Sequence, residues 1–278
     1  MATSTVETLP LHRRLSRWWG LLGHLAHGLF TVMFRFPACS TSERIEIMQK
    51  WSQKLLQIVG VHVVLKGTSP GVYPPNTLLI ANHISWVDIF ALSSMTCSRF
   101  VAKQEIETWP ILGTLVARTG TLFINRSNRR DTARINALLA EALQNGDCMT
   151  VFPEGTTSAG HTVLPFKSSL FDAAVRAEAQ IQPIALRYLH DNGELATEIA
   201  YIGDLSFMES LSQMIALAKV TVEITVLPPI SSAGHTRQSL CDATREVIVQ
   251  HIDPAASESP TPPDKATETP ADQPALMR

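Results

Sequence analysis

Thr77-Leu78-Leu79-Ile80-Ala81-Asn82-His83-Ile84-Ser85-Trp86-Val87-Asp88 is the stretch that decides the architecture. Residues 77–81 form a short, continuous apolar run, the pattern of a strand buried on both faces of a helix-covered sheet. Two polar residues, Asn82 and His83, follow at once, and the helical stretch 87–94 begins only a few residues later. A strand that exits into a chemically capable loop and then a helix is the repeating unit of α/β proteins. Further strands are predicted at 61–66, 99–102, 121–125, 148–152, 182–188 and 220–227, each bounded by Gly or Pro or by a helical run. Helices are predicted at 109–118, 131–144, 165–179, 206–218 and 235–251. The expected fold is α/β, with a mainly parallel or mixed central sheet flanked by helices. Its functional groups are expected on loops leaving the carboxyl ends of strands. No internal repeat of fixed period occurs.

The pair His83 and Asp88 carries the first chemistry. Of nine histidines, only His83 is followed five positions later by an aspartate. A carboxylate at the start of the next helix can accept from the imidazole Nδ1 and leave Nε2 free to take a proton. An alkyl hydroxyl is almost never ionised at neutral pH, so an attacking alcohol needs such a base, a contribution of about 10²–10⁴ in rate. Alone the spacing is weak, because a histidine–aspartate match of this kind arises by chance in many chains.

The 278 residues are 45% hydrophobic and 17% charged with a net charge of −2, which excludes collagen-like, wholly disordered and polytopic membrane classes. A nucleic-acid binder would show a strongly basic balance, and this chain does not. Cys39, Cys97, Cys148 and Cys241 are far apart and form no metal or redox pair, so they read as reduced, mostly buried thiols. Cys39 follows an apolar run, but Arg35, Phe36 and Pro37 fit a lipid-anchored cysteine poorly.

The termini differ from the middle. Residues 18–34 are 17 residues without Asp, Glu, Lys or Arg, flanked by Arg13, Arg14, Arg17 and Arg35. A spanning helix needs about 20 apolar residues, and this run is short and interrupted by Gly20, Gly23, Gly28, His24 and His27. Flanking cations, with Trp18 and Trp19 at headgroup level, favour attachment to an anionic leaflet. A cleaved signal peptide and a plain core helix are the competing readings. Ser40 and Glu43 form a capping box that opens a second helix, stopped at Gly60. The two segments are expected as a membrane-associating helical hairpin, residues 1–60, joined around Pro37. Residues 61–253 are the expected catalytic domain. Residues 254–278, with six prolines and an acidic balance, are expected to be disordered.

Three further segments complete a pattern with Asn82-His83…Asp88. They are Gly120-Thr121-Leu122-Phe123-Ile124-Asn125-Arg126, Val151-Phe152-Pro153-Glu154-Gly155-Thr156-Thr157-Ser158 and Gln182-Pro183-Ile184-Ala185-Leu186. With gaps of 43, 28 and 29 residues between His83, Arg126, Glu154 and Pro183, they resemble the four blocks of the PlsC-type glycerolipid acyltransferase family over about residues 60–230. The resemblance implies that His83 and Asp88 deprotonate an acceptor hydroxyl. The hydroxyl then attacks the thioester of acyl-CoA or acyl-carrier protein. It implies substrate contacts from Asn82, Arg126, Glu154, Gly155 and Thr156, no cofactor, no metal ion and no nucleic-acid partner. It also implies a membrane-surface enzyme on the cytoplasmic face of the inner membrane, monotopic or single-pass. The thioester is already activated, and the chain has neither a Gly-x-Ser-x-Gly elbow nor a cysteine beside a histidine. Backbone N–H groups of the Gly155 turn are the expected oxyanion donors.

One position departs from the family. Members that acylate lysophosphatidate usually carry Arg after Glu-Gly-Thr, and here Thr157 stands there. That loses a charge-assisted partner worth roughly 1.5–3 kcal/mol, and the following stretch looks closer to the branch acting on lyso-ornithine lipid. Lys103 or Lys167 could restore a cation, although either also reads as a solvated charge. Arg126 suits a phosphate, with a solvated arginine at a strand end as the lesser alternative. Arg126, Arg129, Arg130 and Arg134 could dock a carrier protein or the CoA 3′-phosphate. His161 is a loop histidine with no evident partner. A lipid-binding module without turnover and an acyl thioesterase are the alternative functions.

Overall fold

The computed structural model describes residues 7–125 and 129–253. Its centre is an eight-stranded sheet built from β1 (Val61–Lys66), β2 (Thr77–Ala81), β3 (Arg99–Lys103), β4 (Leu122–Ile124), β5 (Cys148–Val151), β6 (Gln180–Leu189), β7 (Val220–Val226) and β8 (Ile230–Ser231). The order is β1-β7-β6-β2-β5-β3-β4, with β8 beside β6. The run β6-β2-β5-β3-β4 is parallel, so the exits of these strands share one edge. The sheet is mixed because β7 and β8 run antiparallel to β6. β8 has only two residues, too short for any periodicity to announce it.

Alternation along the strands splits the core in two. Leu79, Ala81, Ile184, Leu186 and Tyr188 face one layer, and Leu78, Ile80, Ile181 and Ala185 face the other. The first layer is covered by α2 (Thr41–Val59), α3 (Val87–Met95) and α7 (Phe207–Ala216). The second is covered by α5 (Arg129–Gln144), α6 (Phe171–Arg176) and α8 (Arg237–Ile252). α4 (Leu112–Arg118) lies in the crossover between β3 and β4.

The expected helix over 165–179 is a correction. Only a 3₁₀ turn at Ser168–Leu170 and the short α6 form there. The backbone N–H of Leu164 is given to Glu154, and that of Lys167 to the Pro153 carbonyl. These groups brace the loop after β5 instead of opening a helix.

The amino-terminal segment forms two packed helices. α1 (Leu11–Phe30) runs into a π-helical turn at Thr31–Arg35 and a 3₁₀ turn at Phe36–Ala38 before α2. Ser40 and Glu43 make the capping box, and Gly60 ends α2 at φ +84°, a conformation that glycine adopts without penalty. The glycine and histidine that interrupt the apolar run have packing duties. His24 stacks on Trp51 at 4.4 Å and reaches its carbonyl at 2.9 Å. A Cβ on Gly28 would fall 2.6 Å from the Trp51 indole nitrogen. Arg17 donates to the carbonyls of Ile215, Leu217 and Ala218 at the end of α7, satisfying groups that a helix C-terminus leaves open. Among the described residues, no helix is long and apolar enough to cross a membrane. The tail at 254–278 lies outside the described residues. The four cysteines are free, three of them buried and Cys39 half-buried, and burial pushes the Cys97 thiol up to about 12.

Candidate active site

β2 ends at Ala81 and hands Asn82 and His83 to the carboxyl edge of the sheet. α3 begins four residues after His83, so its first turn returns Asp88 to the same loop. His83 Nδ1 lies 2.8 Å from Asp88 Oδ2. The same oxygen accepts from the N–H groups of Ile84 at 2.7 Å and Ser85 at 3.0 Å. The other oxygen, Oδ1, accepts from the Tyr188 hydroxyl at 2.7 Å. Asp88 is 0% exposed, and its neighbours are all donors. It is therefore the acceptor in the His83 contact, which puts the ring hydrogen on Nδ1 and the lone pair on Nε2. Nε2 has no hydrogen-bond partner among the described residues, and the His83 side chain keeps 18% of its surface. The imidazole lies flat on Phe152, with ring centroids 4.0 Å apart and planes 12° from parallel.

β5, the parallel neighbour of β2, supplies the second half of the site. After Phe152 the chain turns at Gly155 with φ +72°, and Glu154 points back. Its Oε1 accepts from the His83 N–H at 2.7 Å and its Oε2 from the Leu164 N–H at 3.0 Å. Burial pushes this carboxyl up to about 7, against the lowering effect of those two hydrogen bonds. The Asp88 charge adds to the rise and Arg245 opposes it. Ser158 N–H donates to the His83 carbonyl at 2.8 Å, and Tyr201 N–H donates to the Ile84 carbonyl at 2.9 Å. Thr157 Oγ1 donates to the Tyr201 carbonyl. The backbone around His83 is held from both sides.

The expected site residues divide into four groups. His83 and Asp88 are brought together as the spacing predicts. Asn82, Glu154 and Gly155, expected against substrate, spend polar groups inside the protein. The Asn82 amide donates to the Leu186 carbonyl at 3.0 Å and accepts from its N–H at 2.7 Å, fully buried. That makes it a clamp between β2 and β6 and not a surface of the cleft. The Gly155 N–H, an expected oxyanion donor, is given to the Phe152 carbonyl at 3.1 Å. Thr156 and Lys103 are exposed, and Lys103 ends β3 on the same edge as His83. Arg126 lies outside the described residues. Arg134 of the basic cluster pairs with Asp131 and the Phe123 carbonyl, and His161 is exposed. Lys167 lies across Gly155, its ammonium 2.5 Å from where a Cβ would stand. Tyr188 escaped sequence reasoning, since only the pairing of β6 with β2 carries it to Asp88.

An apolar cleft lies between the amino-terminal helices, α3, β3 and α4. Gly28, Val32, Trp51, Phe90, Phe100 and Leu115 are among its walls, and it encloses about 870 Å³ of empty space that includes its open mouth. Phe100 stands 6.4 Å from Phe152 in near-parallel stacking. Phe100, one wall of the cleft, is thus separated from the His83 ring by Phe152.

Residues 65–187 match the family model described as Acyltransferase. The chain is similar to the 1-acyl-sn-glycerol-3-phosphate acyltransferase of Neisseria gonorrhoeae, 39% identical over 177 residues that are 63% of this chain and 69% of the relative. It is also similar to the lyso-ornithine lipid O-acyltransferase of Pseudomonas aeruginosa, 32% identical over 242 residues, 85% of this chain and 92% of the relative. The fold matches the crystal structure of PlsC from Thermotoga maritima with a TM-score of 0.68 at 20% identity, covering 90% of this chain and 98% of that one. With relatives of this identity and extent, the chain belongs to the acyltransferase family and is an acyltransferase.

Proposed function

We propose that this enzyme moves a fatty acyl group from acyl-CoA or acyl-carrier protein to the hydroxyl of a lysolipid. His83 serves as general base and Asp88 as its orienting carboxylate. The observation that carries the reading is the 2.8 Å contact between His83 Nδ1 and a buried Asp88, with Nε2 left unpartnered among the described residues. In the reaction, Nε2 takes the proton of the acceptor hydroxyl as its oxygen bonds to the thioester carbon. The tetrahedral adduct collapses by breaking the carbon–sulfur bond, and the imidazolium proton is available to the departing thiolate. The N–H groups of Thr156 and Thr157, which follow Gly155 on the same loop, are assigned as the oxyanion donors. The cleft walled in part by Phe100 takes the acyl chain.

Two acceptors remain in view, each with its own support. Thr157 stands where a cation would meet a phosphate monoester, and its hydroxyl is committed to Tyr201; this favours a lyso-ornithine-type acceptor. The Lys167 ammonium beside Gly155 offers a replacement charge for lysophosphatidate. Purified enzyme given labelled acyl donor and a lysolipid panel decides between them. Lyso-ornithine lipid is expected to be acylated faster. Preference for lysophosphatidate, reduced at least tenfold by Lys167→Ala, reverses that assignment. Acyl-CoA hydrolysis indifferent to every lysolipid makes the protein a thioesterase.

Residues 1–60 are proposed as the membrane-attaching module, 61–253 as the catalytic domain, and the cytoplasmic face of the inner membrane as the place of work. Support comes from α1 and the π-helical turn after it, which leave Leu11, Leu15, Trp19 (73% exposed), Leu22, Phe30 and Phe34 (69% exposed) in solvent. These apolar side chains, with Arg13 and Arg14 on the same helix, suit a helix lying in the interface of an anionic leaflet. The double substitution Leu15→Glu/Trp19→Glu is expected to lower binding to anionic vesicles at least about tenfold, since each side chain buried is worth about 1.5–3 kcal/mol. Co-sedimentation checks it, and unchanged binding refutes the role of this face.

A further inference from the structure

We propose that Tyr188 is a positioning residue of the catalytic pair, its phenol holding Asp88 Oδ1 so that Oδ2 stays aimed at the His83 ring. The inference deepens the base-catalysis reading above and rests on it.

The geometry is a closed circuit. Asn82, next to His83 in the chain, grips both backbone groups of Leu186. Tyr188 follows two residues later on the same strand and the same face, and its hydroxyl meets Asp88 at 2.7 Å. Asp88 returns to His83. Tyr188 is 2% exposed, and its carbonyl is held by the Ala196 N–H at 2.9 Å. Its phenol is the one donor to Oδ1 among the described residues, whereas Oδ2 has three. The charged and titratable groups around Asp88 are His83 on its own loop, Tyr188 on β6 and Glu154 after β5, with Arg245 of α8 behind Glu154.

A hydrogen bond donated to Oδ1 has two effects. It resists rotation of the carboxylate, which keeps Oδ2 in line with Nδ1. It also withdraws charge from the carboxylate and so weakens its hold on an imidazolium. Removing the donor therefore makes His83 keep its proton to higher pH.

The test is made on the full-length enzyme with steady-state kinetics across pH. Tyr188→Phe is expected to lower kcat about tenfold, with KM for both substrates changed less than twofold, and to move the acid limb of the profile up by about half a unit. Site-specific 3-fluorotyrosine at 188, a more acidic phenol and a stronger donor, is expected to move that limb down with kcat near the parent value. The ¹⁵N NMR titration midpoint of His83 is expected to move in the same two directions. Because the fluorinated residue keeps the shape of the site, it decides the matter even where the Phe variant does not fold. Unmoved limbs and midpoints, with loss of stability alone, reduce Tyr188 to a packing residue and overturn the proposal. Activity surviving His83→Ala overturns the underlying reading instead, so the two failures are distinct.

Discussion

His83→Ala is expected to lower acyl transfer by about 10³-fold or more, within the range that a positioned general base contributes, while the fold survives. The ring occupies the mouth of the site, packed on Phe152 and still partly in solvent, so truncation opens space toward the cleft and not within the core. Asp88→Asn is the matching change on the other partner, because Asp88→Ala would strand four donors in a buried pocket. An amide of the same shape offers no charge to an imidazolium and can turn its NH₂ toward Nδ1, selecting the wrong tautomer. A loss of about 10²–10⁴ is expected. Circular dichroism and thermal melting confirm folding, and labelled-lipid assays read the rate. Transfer at the parent rate in either variant would falsify base catalysis by this pair.

Glu154 gives the second large effect, through the backbone. Glu154→Ala removes the acceptor of two N–H groups, those of His83 and Leu164. Each buried donor left alone costs about 1–3 kcal/mol, so unfolding free energy is expected to fall by roughly 2–6 kcal/mol. The same loss unpins the backbone of His83, and a misplacement near 1 Å can cost about 10²-fold in rate. The carboxyl also imposes a pH signature. Its ordinary value is 4.5, and in the fold it stands at about 7. Between these limits the folded chain holds a proton that the unfolded chain has released. The contribution to stability is therefore fully present below about 4.5 and lost as pH rises through 7, a swing of roughly 3 kcal/mol. Denaturant titrations between pH 4.5 and 8 are expected to show the slope in the parent and not in Glu154→Gln. Equal slopes in the two proteins would remove Glu154 as its source.

Most strands and helices, and the meeting of His83 with Asp88, were legible because their signals are local. The apolar run 77–81 needs no partner to be recognised, and the return of Asp88 to His83 follows from one turn of helix. What escaped was set by register across the sheet. Tyr188 sits in a strand whose alternation marks it as core, and nothing near it in sequence says that a carboxylate faces it. Asn82 and Glu154 were placed correctly along the chain but assigned to substrate. Their polar atoms are consumed by Leu186, His83 and Leu164, groups that lie 104, 71 and 10 positions away. The helix expected at 165–179 failed for the same reason, because the N–H groups at its start serve the loop after β5.

The three carbonyls at the tail of α7 that receive Arg17 have a mechanical meaning. They bolt α1 to the scaffold, so the helix proposed to meet the membrane and the scaffold behind it tilt as one lever. Under the proposed attachment, the altitude of the imidazole above the leaflet is dictated by protein geometry, and a curved or thinned bilayer would have to bend toward the enzyme to deliver its acceptor.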